Sequence, residues 1–132
     1  MSGSGALMEA SWTDVFVYGT LLKGESNHAY LKDGIPSGAD RLTGFQMFDL
    51  GSFPMIVPIS PSSLRGIVGE RYRIPIKILS RLDELEDHPH FYRRQWLTLD
   101  SGTEAWVYVG QAALTKGSRL LAGGDWRARG SI

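Results

Sequence analysis

Cysteine is absent from the 132-residue chain. That excludes disulfides, thiolate metal sites and a cysteine nucleophile. Net charge is absent too, because 14 Lys and Arg offset 14 Asp and Glu. No global charge therefore points to nucleic acid or to an anionic membrane as partner. No stretch of about 20 apolar residues occurs, so no membrane span is expected. Internal repeats are absent as well. What is present is ordinary globular composition, with 42% hydrophobic and 21% charged residues, which argues against disorder. The length suits one compact domain with a core large enough to need no metal or disulfide staple.

The opening MSGSGALMEAS reads as a flexible leader, taken as residues 1–12, before one domain over residues 13–132. Its apolar run is too short for a signal peptide and no basic segment precedes it, so the cytoplasm is the expected location. Val15-Phe16-Val17-Tyr18 reads as a buried strand ended by Gly19. Ser26 is placed to cap a short helix through Leu31, with Gly34 as its stop. Ala39 to Leu50 suggests a strand with an irregular edge, and Pro54 and Pro58 bracket another. Pro61-Ser62-Ser63 signals a turn. Leu64 to Ile74 alternates as a strand, in which Gly66 and Gly69 imply a bulge or a close backbone approach. Pro75 opens a helix expected to run to about Asp87, since Pro89 disfavours helical geometry before it. Tyr92 to Leu99 and Glu104 to Val109 form a hairpin across Asp100-Ser101-Gly102-Thr103. A Gly-rich polar tail begins at about Gln111. The fold class is α+β, with a small mixed β-barrel and flanking short helices as the natural architecture.

Two segments carry chemistry. The first is the loop from Tyr18 to Ser26. Gly19 and Gly24 stand five apart, as in a phosphate loop, but Glu25 occupies the place of the lysine that such a loop needs. A carboxylate there repels a phosphate chain, so nucleotide binding is set aside. The backbone N–H groups can still form a nest for a single carboxylate. A tight turn after a core strand accounts for the same residues without any ligand.

The second is Glu86. At about 100° per residue, Ile78, Leu79, Leu82 and Leu85 form one apolar stripe. Glu86 falls inside it, four residues after Leu82, whereas Glu84 and Asp87 fall outside and Asp83 sits at its edge. Burial, the negative end of the helix dipole and neighbouring acids would each raise the pKa of a carboxyl placed there. A raised pKa suits general acid–base work near neutrality. The alternatives are pairing with Arg93 or Arg94, or a place where the stripe meets solvent.

Other signals are weaker. His88 and His90 flank Pro89 beside Asp87, but no metal-ligand spacing is completed, and no metal or other cofactor is expected. Ser62 and Ser63 lack a nucleophile-elbow pattern. Arg93 and Arg94 with Tyr92 and Trp96 read as an ion-pair face rather than a nucleic-acid patch. Trp12, Trp106 and Trp126 read as packing residues.

Taken together, the sequence resembles the γ-glutamylcyclotransferase-like (AIG2-like) family. The likeness rests on Tyr18-Gly19-Thr20-Leu21, Asn27-His28, Gly69-Glu70-x-Tyr72 and Leu82-Asp83-x-Leu85-Glu86-x-x-Pro89-x-x-Tyr92-x-Arg94. It spans Val15 to Val109 and looks nearest to the γ-glutamylamine cyclotransferase branch. The resemblance implies a mixed β-barrel with a cavity at one end. It puts the catalytic glutamate on Glu86, the substrate loop on Tyr18, Gly19, Thr20 and Leu21, and a cavity tyrosine on Tyr92. Two positions depart from the pattern: Phe53-Pro54 stands where Tyr-Pro is common, and Arg71 replaces an apolar residue.

The implied partner is a small γ-glutamyl substrate, an amine, amino-acid or peptide conjugate, with no nucleic acid or membrane. Its own α-amine would attack its γ-carbonyl, closing 5-oxoproline and releasing an amine. No enzyme nucleophile is needed, which agrees with the missing cysteine. A different reading keeps the scaffold and drops the turnover: a non-catalytic module holding a small carboxylate or a peptide end.

Overall fold

A computed structural model describes residues 11–60 and 63–130. Most of the expected leader (residues 1–10) and two residues of the expected turn, Pro61 and Ser62, lie outside these. The described residues form eight strands, one α-helix and three 3-10 turns. The fold is α+β with a sheet-dominated core and few helices, as the sequence implies.

Strand β1 (Trp12–Val17) is the centre of a five-stranded sheet. It runs antiparallel to β5 (Gly66–Pro75) and parallel to β7 (Glu104–Val109). Strands β2 (Ile35–Thr43) and β6 (Arg93–Thr98) form the edges. A three-stranded sheet of β4 (Pro54–Pro58), β3 (Phe45–Asp49) and β8 (Arg119–Leu121) packs against the first. The Gly110 N–H, just after β7, donates to the Ile56 carbonyl of β4 at 2.8 Å, so a backbone hydrogen bond links the two sheets. Val15, Phe16 and Val17 are buried on both faces, as befits an unbroken apolar run at the centre of a sheet.

Several features differ from the sequence reading. Residues 39–50 are not one strand. The chain reverses at Gly44, whose φ of +93° is open mainly to glycine, and β2 and β3 enter different sheets. The bulge lies on β2 between Pro36 and Gly38, opposite β5. Gly69 marks a close approach, one of the two alternatives read from the sequence: a Cβ there would stand 2.3 Å from the Val17 carbonyl oxygen. The short helix expected from Ser26 is a single 3-10 turn, His28–Leu31, preceded by Asn27. The tail, read as polar and irregular, supplies β8 and buries Trp126 in the core.

Helix α1 (Ile76–Leu85) buries Ile78, Leu79 and Leu82, the stripe seen in the sequence. It ends two residues earlier than expected. Asp87 adopts φ +51°, which Asp tolerates better than most side chains. The His88 N–H then reaches the Asp83 carbonyl at 2.9 Å and the Asp87 N–H the Glu84 carbonyl at 3.2 Å. This is a Schellman ending with Asp in the usual glycine position, and it leaves Glu86 as the C-cap.

Candidate active site

The helix ending determines where Glu86 goes. Its N–H still bonds to the Leu82 carbonyl at 2.9 Å, while its own carbonyl receives the Tyr92 N–H at 3.3 Å. The chain therefore doubles back, bringing Phe91 and Tyr92 beside the carboxylate. All three line one cavity of about 390 Å³. Tyr18, Gly19, Thr20 and Leu21 line the same cavity. Every site residue singled out from the sequence thus meets in one place.

The Glu86 carboxyl has no ion-pair or hydrogen-bond partner among the described residues. Arg94, the expected alternative partner, instead grips Asp83 with two bonds of 2.9 and 3.1 Å. Tyr108 donates to the same Asp83 at 2.7 Å, and the Arg94 guanidinium stacks 4.2 Å from the Trp106 ring centre. Burial alone raises Glu86 from 4.5 to about 7. Of the neighbouring acids expected to contribute, Asp83 is paired with Arg94, and Glu84 and Asp87 are exposed.

Burial, aided by the Glu86 charge, pushes the Tyr92 phenol well above its ordinary value. Tyr18 is raised by burial first, then by Tyr92 and Glu86. Neither hydroxyl proton is free to be donated to a ligand. Tyr18 donates to the Tyr108 carbonyl and Tyr92 to the Pro54 carbonyl. Both tyrosines therefore shape the cavity with their rings.

The loop is held from several sides. The Asn27 side chain donates to Thr20 Oγ1 at 2.9 Å and the Asn27 N–H to the Thr20 carbonyl at 2.8 Å. His28 Nδ1 lies 2.9 Å from the Leu21 carbonyl oxygen. Gly19 is pressed against Pro54, whose ring would sit 2.6 Å from an added Cβ. The N–H groups of Thr20 and Leu21 have no partner among the described residues, and so remain available to an anion.

Sequence reasoning quoted Glu70 and Tyr72 without giving them a task. Glu70 Oε1 accepts the Lys23 N–H and the Tyr72 hydroxyl, each at 3.0 Å. Its other oxygen takes Arg127 at 2.9 Å, and Arg127 also donates to the Lys23 carbonyl at 2.7 Å. Desolvation opposes ionisation of Glu70, yet these donors hold its carboxyl below the ordinary value. Burial and Glu70 push the Tyr72 phenol up to about 12. Arg129 pairs with Glu25 at 3.1 Å. The tail therefore clamps the loop from behind, outside the cavity, and Arg127 stands 57 positions from Glu70, beyond the reach of any local pattern.

Phe53, at the end of the loop 49–53 expected to contribute to the cavity wall, does line it, as do Phe91 and Tyr108, which carried no signal in the sequence. Of the two departures noted in the sequence, Arg71 faces away, 2.9 Å from the buried Asp40 carboxylate, while Phe53 belongs to the cavity wall. His88 accepts the Arg94 N–H on Nδ1 at 3.0 Å. No group of three His, Asp or Glu among the described residues is arranged to hold a metal ion, and no helix among them is long and apolar enough to cross a membrane.

The α+β scaffold thus carries a largely desolvated carboxyl without a partner among the described residues, in a cavity that the Tyr18–Leu21 loop also lines. The chain belongs to the gamma-glutamyl cyclotransferase, AIG2-like family, whose model matches residues 15–128. A provisionally named gamma-glutamylcyclotransferase of Vibrio cholerae is 39% identical over 116 residues, covering 87% of this chain and 96% of that protein. The solution structure of protein ytfP from Escherichia coli superimposes with a TM-score of 0.68 at 32% identity, over 89% of this chain and 99% of that one. An AIG2-like protein from Mus musculus shares the fold, with a TM-score of 0.64 at 24% identity over 83% and 85% of the two chains.

Proposed function

We propose that the protein is a γ-glutamyl cyclotransferase in which Glu86 is the general acid and base. The observation that carries the proposal is the unpaired Glu86 carboxyl, raised to about 7, in the same cavity as the Thr20 and Leu21 N–H groups. The substrate α-carboxylate, or the oxyanion forming at the γ-carbonyl, takes those N–H groups. The α-ammonium gives a proton to Glu86, and the freed amine attacks the carbon of the γ-carbonyl. A C–N bond closes the five-membered lactam while the bond to the leaving nitrogen breaks. Two protons leave the attacking nitrogen overall and two reach the leaving one, so 5-oxoproline and an alkylammonium ion balance the starting zwitterion. A carboxyl titrating near 7 can both accept and return the proton. The cavity walls hold the substrate folded for ring closure.

A purely binding role fits less well. An ionisable carboxyl without a partner disfavours a carboxylate ligand, whereas it suits an ammonium that must lose a proton. Glu86→Gln is expected to abolish 5-oxoproline release from γ-glutamyl amides while the circular dichroism spectrum is unchanged. Full turnover in that variant removes Glu86 from the chemistry.

A further inference from the structure

The cavity contains no cation. Its charged lining residues are two acids, Glu86 and Asp87, and neither Lys, Arg nor His is among the lining residues described. Four of its side-chain donors are committed to the protein itself, while the hydroxyls of Thr20, Ser26 and Ser52 also line it. Tyr18 and Tyr92 donate to backbone carbonyls, Tyr108 to Asp83, and the Asn27 amide to Thr20. The Thr20 and Leu21 N–H groups can serve one anionic group. A second carboxylate on the leaving side would enter a largely apolar space beside acids and lose hydration with no cationic side chain to offset it.

That space has a defined wall. The Phe53 and Phe91 rings meet edge to face at 5.8 Å, and Phe91 and Tyr92 at 5.2 Å. Phe53 also meets Tyr92 edge to face at 6.4 Å. Phe53 and Phe91 are only partly covered by the core, and both border the cavity, as does Leu85. Such a cluster receives a further ring or an alkyl chain with favourable edge contacts and removal of apolar surface from water.

We propose that the site takes γ-glutamyl conjugates of apolar amines, arylalkyl amines above all, and that Phe53 and Phe91 select them. This rests on the cyclotransferase reading for turnover, but not for binding. Conjugates whose leaving group carries a carboxylate beside the scissile nitrogen, as in γ-glutamyl amino acids, are disfavoured.

The test has two arms. In the first, 5-oxoproline release by the wild-type protein is followed with γ-glutamylbenzylamide and γ-glutamylglycine. The expected ratio of kcat/KM is at least about tenfold in favour of the benzylamide, the scale on which apolar pockets discriminate. A ratio of one or below overturns the selectivity and leaves the activity standing. Phe53→Ala is expected to collapse that ratio, and Phe53→Tyr, which keeps the ring and hence the packing, to reduce it. An unchanged ratio in both removes Phe53 from selection. In the second arm, both compounds are titrated calorimetrically into Glu86→Gln, which needs no turnover. Tighter binding of the benzylamide supports the inference even where the first arm yields no 5-oxoproline. Equal binding, tighter binding of the glycine conjugate or no binding overturns it.

Discussion

Glu86 ties chemistry to stability with opposite signs. Its carboxyl titrates near 7 in the folded chain and at about 4.5 when unfolded. Between those values the folded state holds more protons than the unfolded one, so stability falls as pH rises through the window. The loss is at most about 3–4 kcal/mol, from 1.36 kcal/mol per pKa unit. The same ionisation creates the base, so kcat/KM is expected to climb over the pH range in which stability declines. Urea titrations at pH 5 and pH 8 measure the first trend, and a pH–rate profile measures the second. In Glu86→Gln the declining stability component should vanish, leaving a variant more resistant to urea at pH 8 than the wild type. Gly19 is a second single-atom constraint. An added methyl would meet the Pro54 ring at 2.6 Å, and the loop carrying the Thr20 and Leu21 N–H groups must move. Gly19→Ala is expected to cost about 1–3 kcal/mol in overpacking and to lower kcat/KM at least about tenfold, because displaced donors lose their aim. Thermal unfolding and initial rates separate these two effects.

At the scale of elements, the decisive arrangement is a loop held by a strand on one side and by the tail on the other. Arg127 bridges Glu70 on β5 and the Lys23 carbonyl. Partly exposed pairs of this kind contribute about 1 kcal/mol or less, so Arg127→Ala should raise KM up to about fivefold while kcat changes little. Faster amide exchange at Lys23 is the matching structural readout, since its N–H bonds to Glu70. Arg127→Lys, which cannot fork between two acceptors as a guanidinium does, should restore the effect only in part. None of this clamp was legible in the chain, because its partners are joined only by folding. Local signals did better. The run Val15 to Tyr18 and the hairpin across Asp100 to Thr103 announce themselves by alternation and turn chemistry, and Glu86 stands out because it interrupts an apolar stripe. Gly44 could not be told from Gly69 by type, although one reverses the chain and the other admits a neighbouring strand. Strand β8 is three residues long, too short for any period to show. The roles of Tyr18 and Tyr92 were also hidden, since only the folded chain reveals that their hydroxyls are taken by carbonyls.

For the molecule as a whole, one core serves both sheets, and the tail helps to close it. Trp126 is almost completely buried, with the Arg129 guanidinium 4.3 Å from its ring centre. Trp126→Ala is expected to cost about 3–5 kcal/mol, a large share of the roughly 5–15 kcal/mol that holds a domain of this size together. A lower urea midpoint with an unchanged slope would show that the loss is one of packing; an unchanged midpoint would place Trp126 outside the stabilising core. The central position of β1 also has a consequence in time. Residues 12–17 leave the ribosome early, yet their partners lie at 66–75 and 104–109. At about 5–20 residues per second, the apolar run Val15-Phe16-Val17 waits on the order of several seconds before its second neighbour exists. During synthesis the central strand of the larger sheet is therefore an exposed sticky segment, and the nascent chain depends on whatever shields that strand until β7 arrives.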